Sequence, residues 1–160
     1  MNQNEFRVRY VVALMAAIAF SWASICASPS LAQDEARVKA GLEAWKGAGC
    51  AECHGAFADG EKERDEAPTG ADIRRARLTP DELKLTIRCG RPGGMPAFDD
   101  GGSGCTGETG DYPAPVKLNA EQIDNVIAYL QARIIGKGRI TKQECLYYYD
   151  NKEDWCQDYN

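Results

Sequence analysis

The stretch Cys50-Ala-Glu-Cys-His54 puts two cysteines, with two residues between them, directly before the only histidine among 160 residues. Thiols and imidazole this close together bind or bond something, so the fold has to serve that cluster. Three chemistries compete for it: a metal site, a redox dithiol, and attachment of a prosthetic group. Each makes a different demand on the rest of the chain, and the rest can therefore arbitrate.

The N-terminus speaks to compartment. Arg7 and Arg9 precede the apolar run "VVALMAAIAF", Val11 to Phe20, and a small-residue stretch ends at Ser30-Leu-Ala32. This is the pattern of a secretory signal with cleavage after Ala32. Ten apolar residues are too few for a helix across a bilayer, which needs about 20. Cys26 raises a lipid anchor as an alternative, but bulky Ile25 stands before it where a small residue is needed. The expectation is an exported protein: residues 1–32 are a cleaved signal, and no stable membrane insertion remains afterwards.

Of 19 basic and 24 acidic residues, Arg7, Arg9 and Glu5 leave with the signal, so 17 oppose 23 and the net charge becomes −6. An acidic chain without a basic patch has nothing to neutralise phosphates, which argues against nucleic acid as a partner. It suits docking to a cationic protein surface. Six cysteines remain after cleavage. Cys50 and Cys53 stand apart beside the histidine; Cys89, Cys105, Cys145 and Cys156 pair in one of three ways. Sequential pairing, Cys89–Cys105 and Cys145–Cys156, closes the shortest loops and is the expected one.

The mature sequence reads as helices joined by long loops, with no alternating β-branched run. From Asp34 to Ala48, Val38, Leu42 and Trp45 form one apolar stripe that leads straight to Cys50. Ala56 to Arg77 reads as loop with one short helical turn. Thr79-Pro-Asp-Glu82 starts a second helix, with Thr79 as cap, Pro80 in the first turn and Glu82 to complete a capping box. Gly90 stops it just after Cys89. Arg91 to Pro115, rich in glycine and proline, excludes regular structure over most of its length. A loop that long in a small domain is usually functional. Asn119 caps the clearest helix, to Ile135, whose stripe is Ile123, Val126, Ile127, Leu130 and Ile134. An aromatic, acidic tail follows, with its own cysteine pair. The expected organisation is signal 1–32, an all-α domain 33–136, and an extension 137–160 packed on it.

Structural zinc needs four ligands, usually two close pairs, and no second Cys-x-x-Cys exists here. Redox dithiols open a helix after a strand in an α/β sequence, whereas this motif follows a helix. Cys-x-x-C-His is, by contrast, the signature of c-type haem attachment, in which two thiols bond the porphyrin and the histidine reaches the iron. Export fits that chemistry. So does Met95, the only methionine of the mature chain, whose soft thioether completes a His/Met pair of the kind that raises a haem's reduction potential. Gly93 and Gly94 let the backbone approach a flat macrocycle, and Pro96 stiffens the chain beside the sulfur.

With "CAECH", then "GMPAF" from Gly94 to Phe98, then "VIAYL" in the last helix, the sequence resembles the class I c-type cytochromes from Asp34 to about Gly136. The resemblance implies an all-α fold with crossing terminal helices and a methionine loop over the second haem face. It implies one haem c, thioether bonds at Cys50 and Cys53, and His54 and Met95 as axial iron ligands. Trp45 and Tyr129 match the aromatic positions where the terminal helices meet, with Gly41 permitting close approach. Such a protein is an electron carrier in the periplasm rather than an enzyme. Its redox partner proteins would be a donor dehydrogenase or quinol-oxidising complex and an acceptor oxidase or carrier. A fixed subunit of an exported oxidoreductase is the rival reading, and a ligand-binding haem sensor a third.

Smaller readings stay open at this point. Cys89–Cys105 would enclose Met95 and either hold it on the iron or serve as a surface staple. Arg88 and Arg91 are either propionate partners or solvated arginines. Tyr147, Tyr148, Tyr149 and Trp155 either pack the tail or form a docking surface, with packing favoured.

Overall fold

The structure is a computed structural model, and it describes residues 29–99, 105 and 116–159. The segment expected to be a signal, through residue 28 and with Cys26, and most of the loop after Asp99 lie outside the described residues. The chain divides into two units, 1–33 and 34–160, and the second holds the core and the site. Five α-helices are described: α1 Pro29–Gly47, α2 Cys50–His54, α3 Pro80–Cys89, α4 Ala120–Tyr129 and α5 Lys142–Tyr148. Among the described residues there is no strand, only two isolated bridges, Arg91 with Met95 and Asp99 with Leu118. No described helix is long and apolar enough to cross a membrane.

The apolar stripes become the core. Val38, Leu42 and Trp45 of α1 are buried, as are Ile123, Val126 and Ile127 of α4 and Leu130 and Ile134 just beyond it. α1 and α4 cross where Gly41 lies against the backbone of Asn125: a Cβ on Gly41 would overlap the Asn125 carbonyl and stand 2.8 Å from Tyr129 Cβ. One turn further on, Trp45 and Tyr129 meet with ring centres 6.3 Å apart. Only a side chain of hydrogen lets two helices approach this closely.

Local chemistry sets the helix starts. Thr79 and Glu82 form the expected capping box at α3, Asn119 and Gln122 form one at α4, and Thr141 and Glu144 form a third at α5. α3 lies against α4, with Lys84 and Asp124 paired at 2.6 Å. The short helical turn expected between Ala56 and Arg77 is Ile73–Arg75.

Two features depart from the sequence reading. α4 does not run on as α-helix to Ile135; it widens into a π-helical turn over Leu130–Ile134, closed by the Ile135 N–H on the Leu130 carbonyl at 2.8 Å. The tail is also more than an appendix. Cys145, Tyr148 and Cys156 belong to the same buried cluster as Trp45 and Leu42. Arg74, the buried charged residue of that cluster's edge, donates to the carbonyls of Phe57 and Gly138 and makes two bonds to the Glu144 carboxylate, at 2.9 and 3.3 Å. A single guanidinium thus ties the loop after α2 to the tail.

Candidate functional site

α1 delivers the chain to Gly49, whose left-handed backbone (φ 71°) breaks the helix and starts α2 in a new direction. α2 carries all of Cys50, Cys53 and His54. The polar segment behind it does not wander. It folds back on α2, with the Gly60 N–H on the His54 carbonyl and the Gly70 N–H on the Cys53 carbonyl, both at 2.8 Å.

That return fixes the imidazole. His54 Nδ1 lies 2.9 Å from the Ala71 carbonyl. A carbonyl only accepts, so Nδ1 carries the proton and Nε2 keeps its lone pair for a metal, the arrangement by which proteins orient a ligating histidine. Burial lowers the His54 pKa, with the Ala71 bond opposing it, so the ring is held neutral. Gly70 lies flat on the ring, where a Cβ would stand 2.5 Å from Nδ1 and 2.8 Å from Cε1. Trp45 closes another side, its ring centre 6.0 Å from that of His54.

Met95 arrives from the other direction. Gly90, at φ 68°, ends α3 and turns the chain so tightly that a Cβ there would come within 2.7 Å of the Pro96 backbone. The Arg91 N–H then bonds the Met95 carbonyl at 2.8 Å, and the Gly94 N–H bonds the Arg91 carbonyl at 3.3 Å. The result is a compact turn that presents Met95, partly buried, to the core.

Cys50, Cys53, His54 and Met95 line one cavity of about 530 Å³. Leu83, Ile87, Leu118, Val126 and Leu130 supply its apolar walls. Two buried polar atoms on this lining, Trp45 Nε1 and Asp72 Oδ1, have no hydrogen-bond partner within the protein. Buried polar groups are normally satisfied, so a cavity that orphans two of them suits an occupant that is apolar over most of its surface and polar at an edge. A porphyrin with its carboxylate side chains has that character.

The thiols add a chemical constraint. Cys89 is bonded to Cys105 and Cys145 to Cys156, whereas Cys50 and Cys53 are free. Burial pushes the Cys50 thiol up to about 12, and burial together with Glu52 raises that of Cys53. Thiols tuned for disulfide exchange are shifted the other way. Among the described residues, no group of three or more histidine, cysteine or acidic side chains could hold a metal ion. The donor set fits a haem.

A family model described as "Cytochrome C oxidase, cbb3-type, subunit III" matches residues 36–111. Over that stretch the chain is similar to a class I c-type cytochrome domain. The matched stretch takes in Cys50, Cys53, His54 and Met95, while α4 and the tail of the cytochrome lie beyond it. No curated protein and no solved structure matches the chain.

The cytochrome's other expected residues divide. Arg91 borders the cavity and reaches Thr86 Oγ1 at 3.4 Å, whereas Arg88 is paired with Asp99 at 2.7 Å. Arg77, not singled out in the sequence, also lines the cavity. Gly70 and Ala71 were equally silent, because nothing near them in sequence announces that they will meet residue 54.

Proposed function

We propose that this cytochrome is an exported, single-haem electron carrier. A haem held here supplies a one-electron redox couple. Cys50 and Cys53 would fix it by thioether bonds, and His54 and Met95 would take the two axial positions on the iron. The observation that carries this reading is that these four residues share one cavity, and that its two thiols are free while the other described cysteines are paired. Neutral His54 and the thioether of Met95 are ligands that need no proton change, so electron transfer is uncoupled from large rearrangement. With both axial positions filled by the chain there is no place for a substrate, and the protein relays electrons rather than catalysing. The signal expected over residues 1–32 places it in the periplasm. There it would receive an electron from a dehydrogenase or quinol-oxidising complex and pass it to an oxidase or another carrier.

Absorption spectra of the holoprotein test this. The wild type should be low-spin in both oxidation states and show a weak band from methionine-to-ferric-iron charge transfer. Met95→Ala should lose that band and bind carbon monoxide in the ferrous state. A high-spin wild type that takes up carbon monoxide readily would overturn the assignment of Met95.

The second reading, a fixed subunit of an exported oxidoreductase, is favoured by one finding: the matched family is described by an oxidase subunit. Size at native abundance separates the two. A free monomer supports the carrier, and co-elution with a larger haem-containing assembly supports the subunit.

A further inference from the structure

Trp155 is 59% exposed, whereas Tyr148, the tail aromatic within the core, is 6% exposed. If the tail served only to pack, its largest aromatic side chain would be expected inside. Trp155 instead ends a row of touching rings. It meets Tyr149 with ring centres 4.9 Å apart, and Tyr149 meets Tyr148 edge-on at 4.8 Å. Tyr148 sits under Lys46 Nζ, 4.7 Å from the ring centre, and belongs to the buried cluster against which Cys50 packs. Phe57, from the loop just after α2, braces the row at 5.6 Å from Tyr148 and 6.0 Å from Tyr149. The row therefore runs to the surface from the core on which Cys50 rests.

The surroundings of this row are electronegative. After burial, Glu63 is the largest influence raising the pKa of both Tyr148 and Tyr149. Burial, and after it Asp59, Glu61 and Asp158, raise that of Tyr159, whose ring lies 5.3 Å from Phe57. Asp154 and Asp158 are exposed beside Trp155. Some of the field is answered locally: Lys142 pairs with Glu153, Lys46 with Asp150, and Lys152 covers the Trp155 ring at 4.5 Å. An exposed tryptophan backed by partly buried tyrosines and set among acids repels anionic lipid headgroups and nucleic acid, and complements a protein face rich in lysine or arginine.

We propose that the tail is a docking surface for a redox protein with a basic contact face, with Trp155 at its centre and Tyr148–Tyr149–Trp155 as the route between Cys50 and that surface. This rests on the electron-carrier reading above. One electron leaves the reduced cytochrome and reduces the partner. No bond forms or breaks, and no proton is transferred. The rings act as a packed medium for tunnelling and are not themselves oxidised.

The test uses the holoprotein and, as probe acceptor, a ferric lysine-rich cytochrome c mixed by stopped flow at low and high ionic strength. The wild-type rate should fall with added salt. Asp154→Lys/Asp158→Lys should lower the low-salt rate about tenfold, as expected for lost electrostatic steering. A control of equal charge change at the exposed starts of α3 and α4, Asp81→Lys/Glu121→Lys, should lower it far less. Trp155→Ser and Tyr149→Leu should slow transfer at saturating probe, where docking is complete. Equal losses in tail and control variants would reduce the effect to net charge and overturn the proposal, as would unchanged rates in Trp155→Ser and Tyr149→Leu. Ascorbate reduction, followed on every protein, keeps the two claims separate. Unaltered ascorbate kinetics show an intact carrier whatever the tail does, and a wild type that exchanges electrons with neither ascorbate nor the probe overturns both readings.

Discussion

His54 is held by one hydrogen bond and by one side chain that is absent. The Ala71 carbonyl sets the tautomer, and Gly70 leaves room for the ring face. Gly70→Ala would put a Cβ 2.5 Å from Nδ1, so the ring must turn or the 60–72 loop must yield. Overpacking of this kind costs about 1–3 kcal/mol. The variant should unfold earlier in urea by that margin, and its ferric low-spin spectrum should broaden as the axial geometry spreads. Gly47→Ala, which meets nothing within 4 Å, is the control and should be neutral or slightly stabilising. A Gly70→Ala protein as stable and as sharply low-spin as the control would show that the ring is not pinned there. At this scale the sequence was legible where chemistry is local. Cys50, Cys53 and His54 announce themselves because they are neighbours, and Met95 because it has no rival. Gly70 was not, because its meaning depends on a partner sixteen positions away that only the folded loop supplies.

Elements were readable through their ends. Thr79 with Glu82 and Asn119 with Gln122 are complete capping boxes within four consecutive residues each, so the starts of α3 and α4 needed no tertiary information. The same signal, Thr141-Lys-Gln-Glu144, starts α5 within what otherwise reads as an aromatic, acidic tail. The π-helical turn over Leu130–Ile134 has no counterpart signal: its stripe residues are spaced as an α-helix would space them. α3 carries the functional prediction at this scale. It ends at Cys89, and the Cys89–Cys105 bond ties down the far side of the segment that holds Met95. Closing a loop of this size contributes about 3 kcal/mol in the chain-entropy view. Cys89→Ser/Cys105→Ser should therefore bind imidazole to its ferric form faster and more tightly than the wild type, because the freed loop releases Met95 more often. Unchanged affinity and rate would leave the bond as a general staple.

Over the whole molecule, the sequence indicated an all-helical chain with crossing ends but not how tightly the tail joins the body. The sequence predicts a tail stapled by its own disulfide and packed on the domain. The structure goes further, with Cys145, Tyr148 and Cys156 inside the core, and nothing in the run Arg74-Arg75-Ala-Arg77 singles out the arginine that is buried. Arg74 is the place to measure that union. Its guanidinium side chain is 5% exposed and Glu144's is 16% exposed. Glu144→Ala strands a buried charge, and loss of one partner of such a pair costs about 3–5 kcal/mol. Arg74→Met with Glu144→Ala should recover much of that loss, since both charges are then gone. Urea unfolding of the wild type and of both variants measures it. A Glu144→Ala loss below about 1 kcal/mol would mean that the pair is not buried in solution.

The crossing at Gly41 carries a consequence for the order in which this protein is made. Helix α1 finds its seat on Asn125 and Tyr129, which leave the ribosome long after it. Until then Trp45 and Leu42 have no partner, and contacts so distant in sequence are the last to form. During that interval α2 is a short helix on an open chain, and its two thiols stand in reach of whatever must bond them. Closure of the ends then shuts the compartment behind them. A protein built from beginning to end, yet sealed only by its end, thereby holds open the time in which its prosthetic group can be installed.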